Sequence, residues 1–188
     1  GKDSRVSHLR LEEVAVRGLI RVGGLVGSAS GALKDGKVVK PSIHEVHTAG
    51  AVTGKARVGG LVGTNNAGVI LRSSSAGSVE MAEGFEDEAY GGLVGYHAPE
   101  SLLKDSFTTA SVSGHDKVGG VVGLNQGEII NTFSAGQVNG TTLTGGIVGT
   151  NEFQFATVTN SFGRNASGAY TQSTYGTKSG GTWTGFDF

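Results

Sequence analysis

Five times along this chain the sequence returns to one short phrase: two glycines, an apolar residue, valine and a third glycine. The copies are Gly23–Gly27, Gly59–Gly63 and Gly91–Gly95 (all GGLVG), Gly119–Gly123 (GGVVG) and Gly145–Gly149 (GGIVG). A recurrence at a period of 20–50 residues is the mark of a repeat architecture, in which stacked units bury a core that no single unit could bury. Helices are a poor reading of such units, because each glycine costs a helix up to about 1 kcal/mol relative to alanine. Short runs of Val, Ile, Thr and Ser, punctuated by Gly and Asn, point to strands instead.

Successive motifs begin 36, 32, 28 and 26 residues apart. The shrinking period resolves into a 26-residue unit with two insertions, Ser28–Ser42 and Glu80–Ala89. A second anchor fixes this alignment. Ile43, Ile70, Leu103 and Ile129 each stand nine residues before a valine, at Val52, Val79, Val112 and Val138. Leu11 and Ile20 share that offset, so the chain is expected to open on a half rung at 9–22. Rungs then start near 23, 59, 91, 119 and 145, with 163–188 as a closing segment.

One rung of a three-strand coil takes roughly 20–30 residues, so the reading is an all-β solenoid. It is expected to be a right-handed parallel β-helix of about five to six rungs. At the inter-strand spacing of about 4.8 Å such a rod is near 25–30 Å long. The whole chain, 1–188, reads as one such domain. Asn65, Asn125 and Asn151 fall in one column, suited to turn geometry and side-chain laddering, with His97 and Ala29 as interruptions.

The order GGLVG, x-N, then I-x-N-x-F-x-x-G-x-V-x-G, resembles the GLUG repeat of bacterial cell-surface proteins. That repeat occurs in filamentous-haemagglutinin-like adhesins and in IgA-specific metallopeptidases. The resemblance runs from about Leu11 to Phe162, and the tail Ser179–Phe188 looks like the end of such an array. It implies a bacterial cell-surface or extracellular location and a non-catalytic role in adhesion, binding or spacing. It also implies flanking domains of a larger polypeptide, and a host or cell-surface protein or glycan as partner. The alternatives are a substrate-positioning domain of a secreted IgA-type metallopeptidase and a carbohydrate-active β-helix enzyme.

Composition narrows the function classes. The net charge is −1, without the basic field that nucleic acid would require. There is no cysteine for a disulfide or a thiolate metal site. No apolar run is long enough to insert in a membrane. Gly1–Arg10 lacks the pattern of a signal peptide, and the chain reads as part of something longer.

No residue set reads as a catalytic centre, a metal site or a cofactor site. Gly31–Lys37 (GALKDGK) imitates a phosphate-binding loop as far as its lysine, but Val38 stands where Ser or Thr should follow. His44, Glu45 and His47 are one residue short of a zinc-protease helix, and on a strand residues three apart are expected on opposite faces. Asp105, Asp116 and Glu128 do not share a column, which argues against a polysaccharide-cleaving acid pair.

The ligand-binding candidates are therefore loop residues. They are Lys34, Asp35 and Lys37 in the first insertion, and Glu83, Glu86, Asp87 and Glu88 in the second. Glu45, Arg72 and Asp105 share a column and should pair across rungs. Phe107, Phe133 and Phe162 share another, expected as a structural stack inside the rod or covered by neighbours.

Overall fold

A computed structural model describes residues 4–84, 88–152, 154–164, 170–171, 175–178 and 182–184, with side chains to residue 163. It is an all-β solenoid. Three sheets run along the rod, of twelve, five and six strands among the described residues, all parallel apart from the pairing of Phe162–Arg164 with Tyr170–Thr171. The second full circuit shows the plan. Ser42–Gly54 lies in the first sheet, Ala56–Gly59 in the second and Val62–Asn66 in the third. Every neighbouring rung repeats these positions in parallel register, for example Val58↔Tyr90↔Val118 and Val62↔Val94↔Val122.

The repeated glycine motif is the corner between the second and third sheets. Its glycines are there for want of space. A Cβ on Gly59, Gly91 or Gly119 would stand 1.9–2.2 Å from the carbonyl oxygen of Val62, Val94 or Val122 across the same corner. A Cβ on Gly60, Gly92 or Gly120 would stand 2.1–2.3 Å from the carbonyl of the second glycine one rung on. The third glycine meets the preceding rung, with Cβ positions 2.4–2.5 Å from backbone atoms of Arg21, Arg57, Tyr90 and Lys117. The expected close backbone approach is thus present at all three positions.

Two apolar columns fill the rod. Ile43, Ile70, Leu103 and Ile129 pack with Leu61, Leu93, Val121 and Ile147. Val52, Val79, Val112 and Val138 pack with Val22, Val58, Tyr90 and Val118. The nine-residue anchor of the sequence is therefore a strand that crosses both columns. Between them stands a buried row of hydroxyls: Thr48, Ser75, Thr108 and Ser134. Thr48 Oγ1 donates to the carbonyl of Gly60 at 2.9 Å, and Ser75 Oγ lies 2.5 Å from that of Gly92. These bonds tie the first sheet to the glycine corner, and at Gly92 the hydroxyl adds to the amide of Gly60, which donates to the same carbonyl at 3.1 Å.

The first rung differs from the expectation of a half rung at 9–22. Its first-sheet strand is Arg5–Arg17, and Val6 and Val16, not Leu11 and Ile20, pair with Ile43 and Val52. A bulge between Leu11 and Val14 inserts one residue, so Val6 and Val16 are ten apart and the nine-residue template slid past them. Rungs start with the first-sheet strand, and each glycine motif lies within a rung. Of the tail, residues 179–181 and 185–188 lie outside the described residues.

One position in the first sheet is left-handed in rung after rung. His8, Glu45, Arg72, Asp105, Asn131 and Asn160 have φ between 47° and 55°. Non-glycine residues there cost roughly 1–2 kcal/mol each, and Asn and Asp tolerate it best. The kink breaks the alternation of side chains, so residues three apart across it share a face.

Candidate interaction surface

Sequence length varies at one edge of the rod, where the chain passes from the third sheet back to the first. Successive connections hold 11, 2, 4, 2 and 5 residues. At the other end of the first-sheet strand, seven residues separate valine from glycine motif in four of the five rungs (Val52 to Gly59, for example). The third rung is the exception, at 12 residues from Val79 to Gly91.

The 11-residue connection is a β-hairpin rather than a loop. Ala32–Lys34 and Lys37–Val39 pair antiparallel, and Asp35 and Gly36 turn with φ of 49° and 73°. Two left-handed residues in a two-residue turn fit the twist of a hairpin, and Asp-Gly is a preferred sequence for it. Lys34, Asp35 and Lys37 are at its exposed tip, and Leu33 and Val38 oppose each other on its exposed flank.

The described residues of the acidic insertion fall in different elements. Glu80 still lies in the strand Ser74–Met81, and only Glu83 is in the turn that follows. Glu86 and Asp87 lie outside the described residues. Glu88 belongs to the strand Glu88–Gly91, opposite Asp116, and pairs with Lys117 on the next rung. Lys117 also reaches Glu152 at 3.3 Å. Burial disfavours the lysine's charge, but Glu88 and Glu152 outweigh it and hold its pKa above the usual lysine value. Glu88 is thus a structural ion-pair partner.

The left-handed kink reorganises the first sheet's outer face. His44 and His47 both point outward, contrary to the strand rule, because Glu45 between them is kinked. They form no metal site. Glu45 binds Arg72 at 2.9 Å and His8 at 2.7 Å, His47 Nδ1 is 2.8 Å from Ser74 Oγ, and among the described residues no three His, Asp or Glu could hold an ion. The Arg72 hydrogen bond lowers the Glu45 pKa, while burial and then the charges of Arg5 and Arg72 lower that of His44. The expected column pairing holds for Glu45 and Arg72. Asp105 instead accepts a hydrogen bond from Asn131 at 2.8 Å.

The same kink turns the phenylalanine column outward. Phe107 is 49% and Phe133 38% exposed, in register with Phe162. They stack along the outside of the rod rather than in its core. The expected stack, inside the rod or covered by neighbours, gives way to an exposed column because strict alternation does not pass through Asp105 and Asn131.

Along the loop-bearing edge the short connections leave a groove of about 860 Å³. Its floor is the in-register column Val69, Leu102, Glu128 and Thr157. Pro99, Glu100 and Phe155, from the longer connections, rise beside it. A second hollow, lined by Leu33 and Val38 of the hairpin, shares Pro99 and Glu100 with it. The residues of this groove were not singled out as binding candidates in the sequence. The uneven spacing between asparagine column and isoleucine column was the available signal.

Behind the groove lies the asparagine column. Asn65, His97, Asn125 and Asn151 are in register and buried. Asn125 donates to Asn151 Oδ1 at 2.7 Å and to the carbonyl of Gly127 at 3.2 Å. His97 stands in for asparagine: Asn65 Nδ2 is 3.3 Å from its Nδ1, and its Nε2 is 3.2 Å from the carbonyl of Glu128. An acceptor at Nδ1 and a donor at Nε2 describe the neutral ring. Burial pushes its pKa down to about 4, against a smaller upward pull from backbone carbonyls at Glu128 and Ser101.

No known family, no curated protein and no solved structure matches the chain. Among the described residues no helix is long and apolar enough to cross a membrane.

Proposed function

We propose that this domain is a non-catalytic binding and spacing module of a bacterial surface-exposed or secreted protein. The rod supplies a fixed scaffold, and the loop-bearing edge supplies recognition. The observation that carries this reading is where the longest insertion falls. The 11-residue connection contributes Lys40 to the groove that the longer of the remaining connections line, its hairpin lines the adjoining hollow, and the glycine corner tolerates no added atom. Recognition residues carried on variable connections over a stiff frame are the usual division of labour in repeat proteins. The resemblance to GLUG repeats supports the surface location and the adhesive role.

The test is an array of host extracellular proteins and glycans probed with the full chain. Binding to a defined ligand, lost when residues 31–39 and 153–155 are shortened while the fold is retained, is the expected result. No ligand on the array, or binding unchanged by trimming, overturns the reading. Release of reducing or unsaturated ends from a polysaccharide panel would overturn it in favour of an enzyme.

A further inference from the structure

We propose that the edge groove is a docking channel for an extended, basic and apolar peptide segment of a protein partner. This deepens the binding-module reading and rests on it.

The shape is that of a channel. The apolar track begins at Leu33 and Val38 on the hairpin, passes Pro99 and Leu102, and ends at Phe155, itself 70% exposed. It crosses four rung steps, which at about 4.8 Å each is close to 19 Å, the reach of about six extended residues. The floor keeps that direction, because Val69, Leu102, Glu128 and Thr157 are successive partners in a parallel ladder.

The charge selects the occupant. Glu100 and Glu128 line the groove, and among the described residues neither carboxylate has an ion-pair partner. The one cation of the lining, Lys40, donates its ammonium to the backbone carbonyl of Glu100 at 2.6 Å. The one side-chain amide, Gln126, accepts from Tyr96 Oη at 2.8 Å. Beside these the groove offers two carboxylates among apolar groups, of which Phe155 is exposed and Val69, Pro99 and Leu102 are half-buried. Lys or Arg side chains alternating with aliphatic ones satisfy both, the ammonium or guanidinium meeting the carboxylates and the aliphatic groups covering Val69, Leu102 and Phe155. Successive side chains of an extended strand point to opposite sides, so a floor that holds both Glu128 and the apolar Val69 and Leu102 calls for basic and aliphatic residues in turn on the same side, as a Lys-Lys-Val-Val repeat supplies.

The test uses the full chain and two fluorescent decapeptides, one repeating Lys-Lys-Val-Val and one repeating Glu-Glu-Val-Val, followed by anisotropy. The lysine peptide is expected to bind, and the glutamate peptide not to. The double variant Glu100→Gln/Glu128→Gln keeps side-chain size and the Lys40 backbone bond, and should weaken binding by about tenfold or more. Phe155→Ala should weaken it several-fold without altering the charge preference. Circular dichroism confirms that each variant keeps the wild-type fold. Equal binding of the two peptides, no binding of the lysine peptide, or binding untouched by the double variant overturns the proposal. If array ligands still bind in that event, the groove assignment falls and the binding-module reading stands.

Discussion

Two corners of the same rung obey opposite rules. At the glycine corner every rung repeats the same atoms, because a single added carbon would overlap backbone on two sides. At the loop-bearing corner the chain inserts anything from two residues to a whole hairpin. The difference lies in which neighbour each corner touches. The glycine corner packs against other rungs and against the hydroxyl row, so it is bound by the stacking of the rod. The loop corner projects past the stack, so its length is free and its chemistry can be selected for a partner.

The contrast is broken most severely by Gly120→Ala. Its Cβ would meet the carbonyl oxygen of Gly146 at 2.1 Å and Ser134 Oγ at 2.4 Å. A loss of at least about 3 kcal/mol is expected, read as a lower denaturant midpoint or as failure to fold. A variant as stable as wild type would refute the steric account of the motif.

His97 sharpens the comparison through pH. Its pKa is lowered in the folded state to about 4, from an ordinary 6.5. As pH falls below about 6.5 the unfolded chain takes up the proton first, so stability drains away until about pH 4 and then levels. The loss reaches about 3 kcal/mol at most. His97→Asn restores the residue type of the column and should remove this component. Urea titrations of both proteins at pH 7 and pH 4.5 read the difference, and equal slopes with pH would show that His97 does not titrate as argued.

Smaller effects follow. Ser75→Ala removes the hydroxyl beside the Gly92 carbonyl and Thr108 Oγ1, while the Gly92 carbonyl keeps the amide of Gly60. It should cost about 1 kcal/mol by thermal melting. Replacing residues 31–39 by a short turn should change stability by less than about 1 kcal/mol, since loop length alone has a weak effect on folding free energy. A large loss there would mean that the hairpin is part of the frame, and the two corners would no longer differ in kind.

Much of this architecture was legible in the residues, because a repeat writes each structural constraint several times. The isoleucine and valine columns, the asparagine column and the glycine corner all emerge in the expected register. What stayed hidden depended on single backbone events. One extra residue in the Arg5–Arg17 strand concealed a whole first rung. One left-handed residue per rung, at Glu45, Asp105 and Asn131, reversed the expected facing of His47 and set Phe107 and Phe133 on the outside. Neither event has a residue signature beyond Asn and Asp at some of the positions. The candidate surface was half visible: the first insertion was identified as a site of recognition, but Lys34, Asp35 and Lys37 drew attention to its tip and away from its base. Phe155 and the paired carboxylates are brought together only by stacking.

The third glycine of each motif rests on backbone of the rung before it, at Arg21, Arg57, Tyr90 and Lys117 in turn. Each circuit is thus a mould for the next, and the fit depends on main chain rather than on the side chains that differ between circuits. A gene carrying such units can gain or lose one by unequal recombination, and the product will still seat every remaining circuit on its neighbour. The length of the rod becomes a quantity that evolution can change in whole steps, without redesigning the glycine corner.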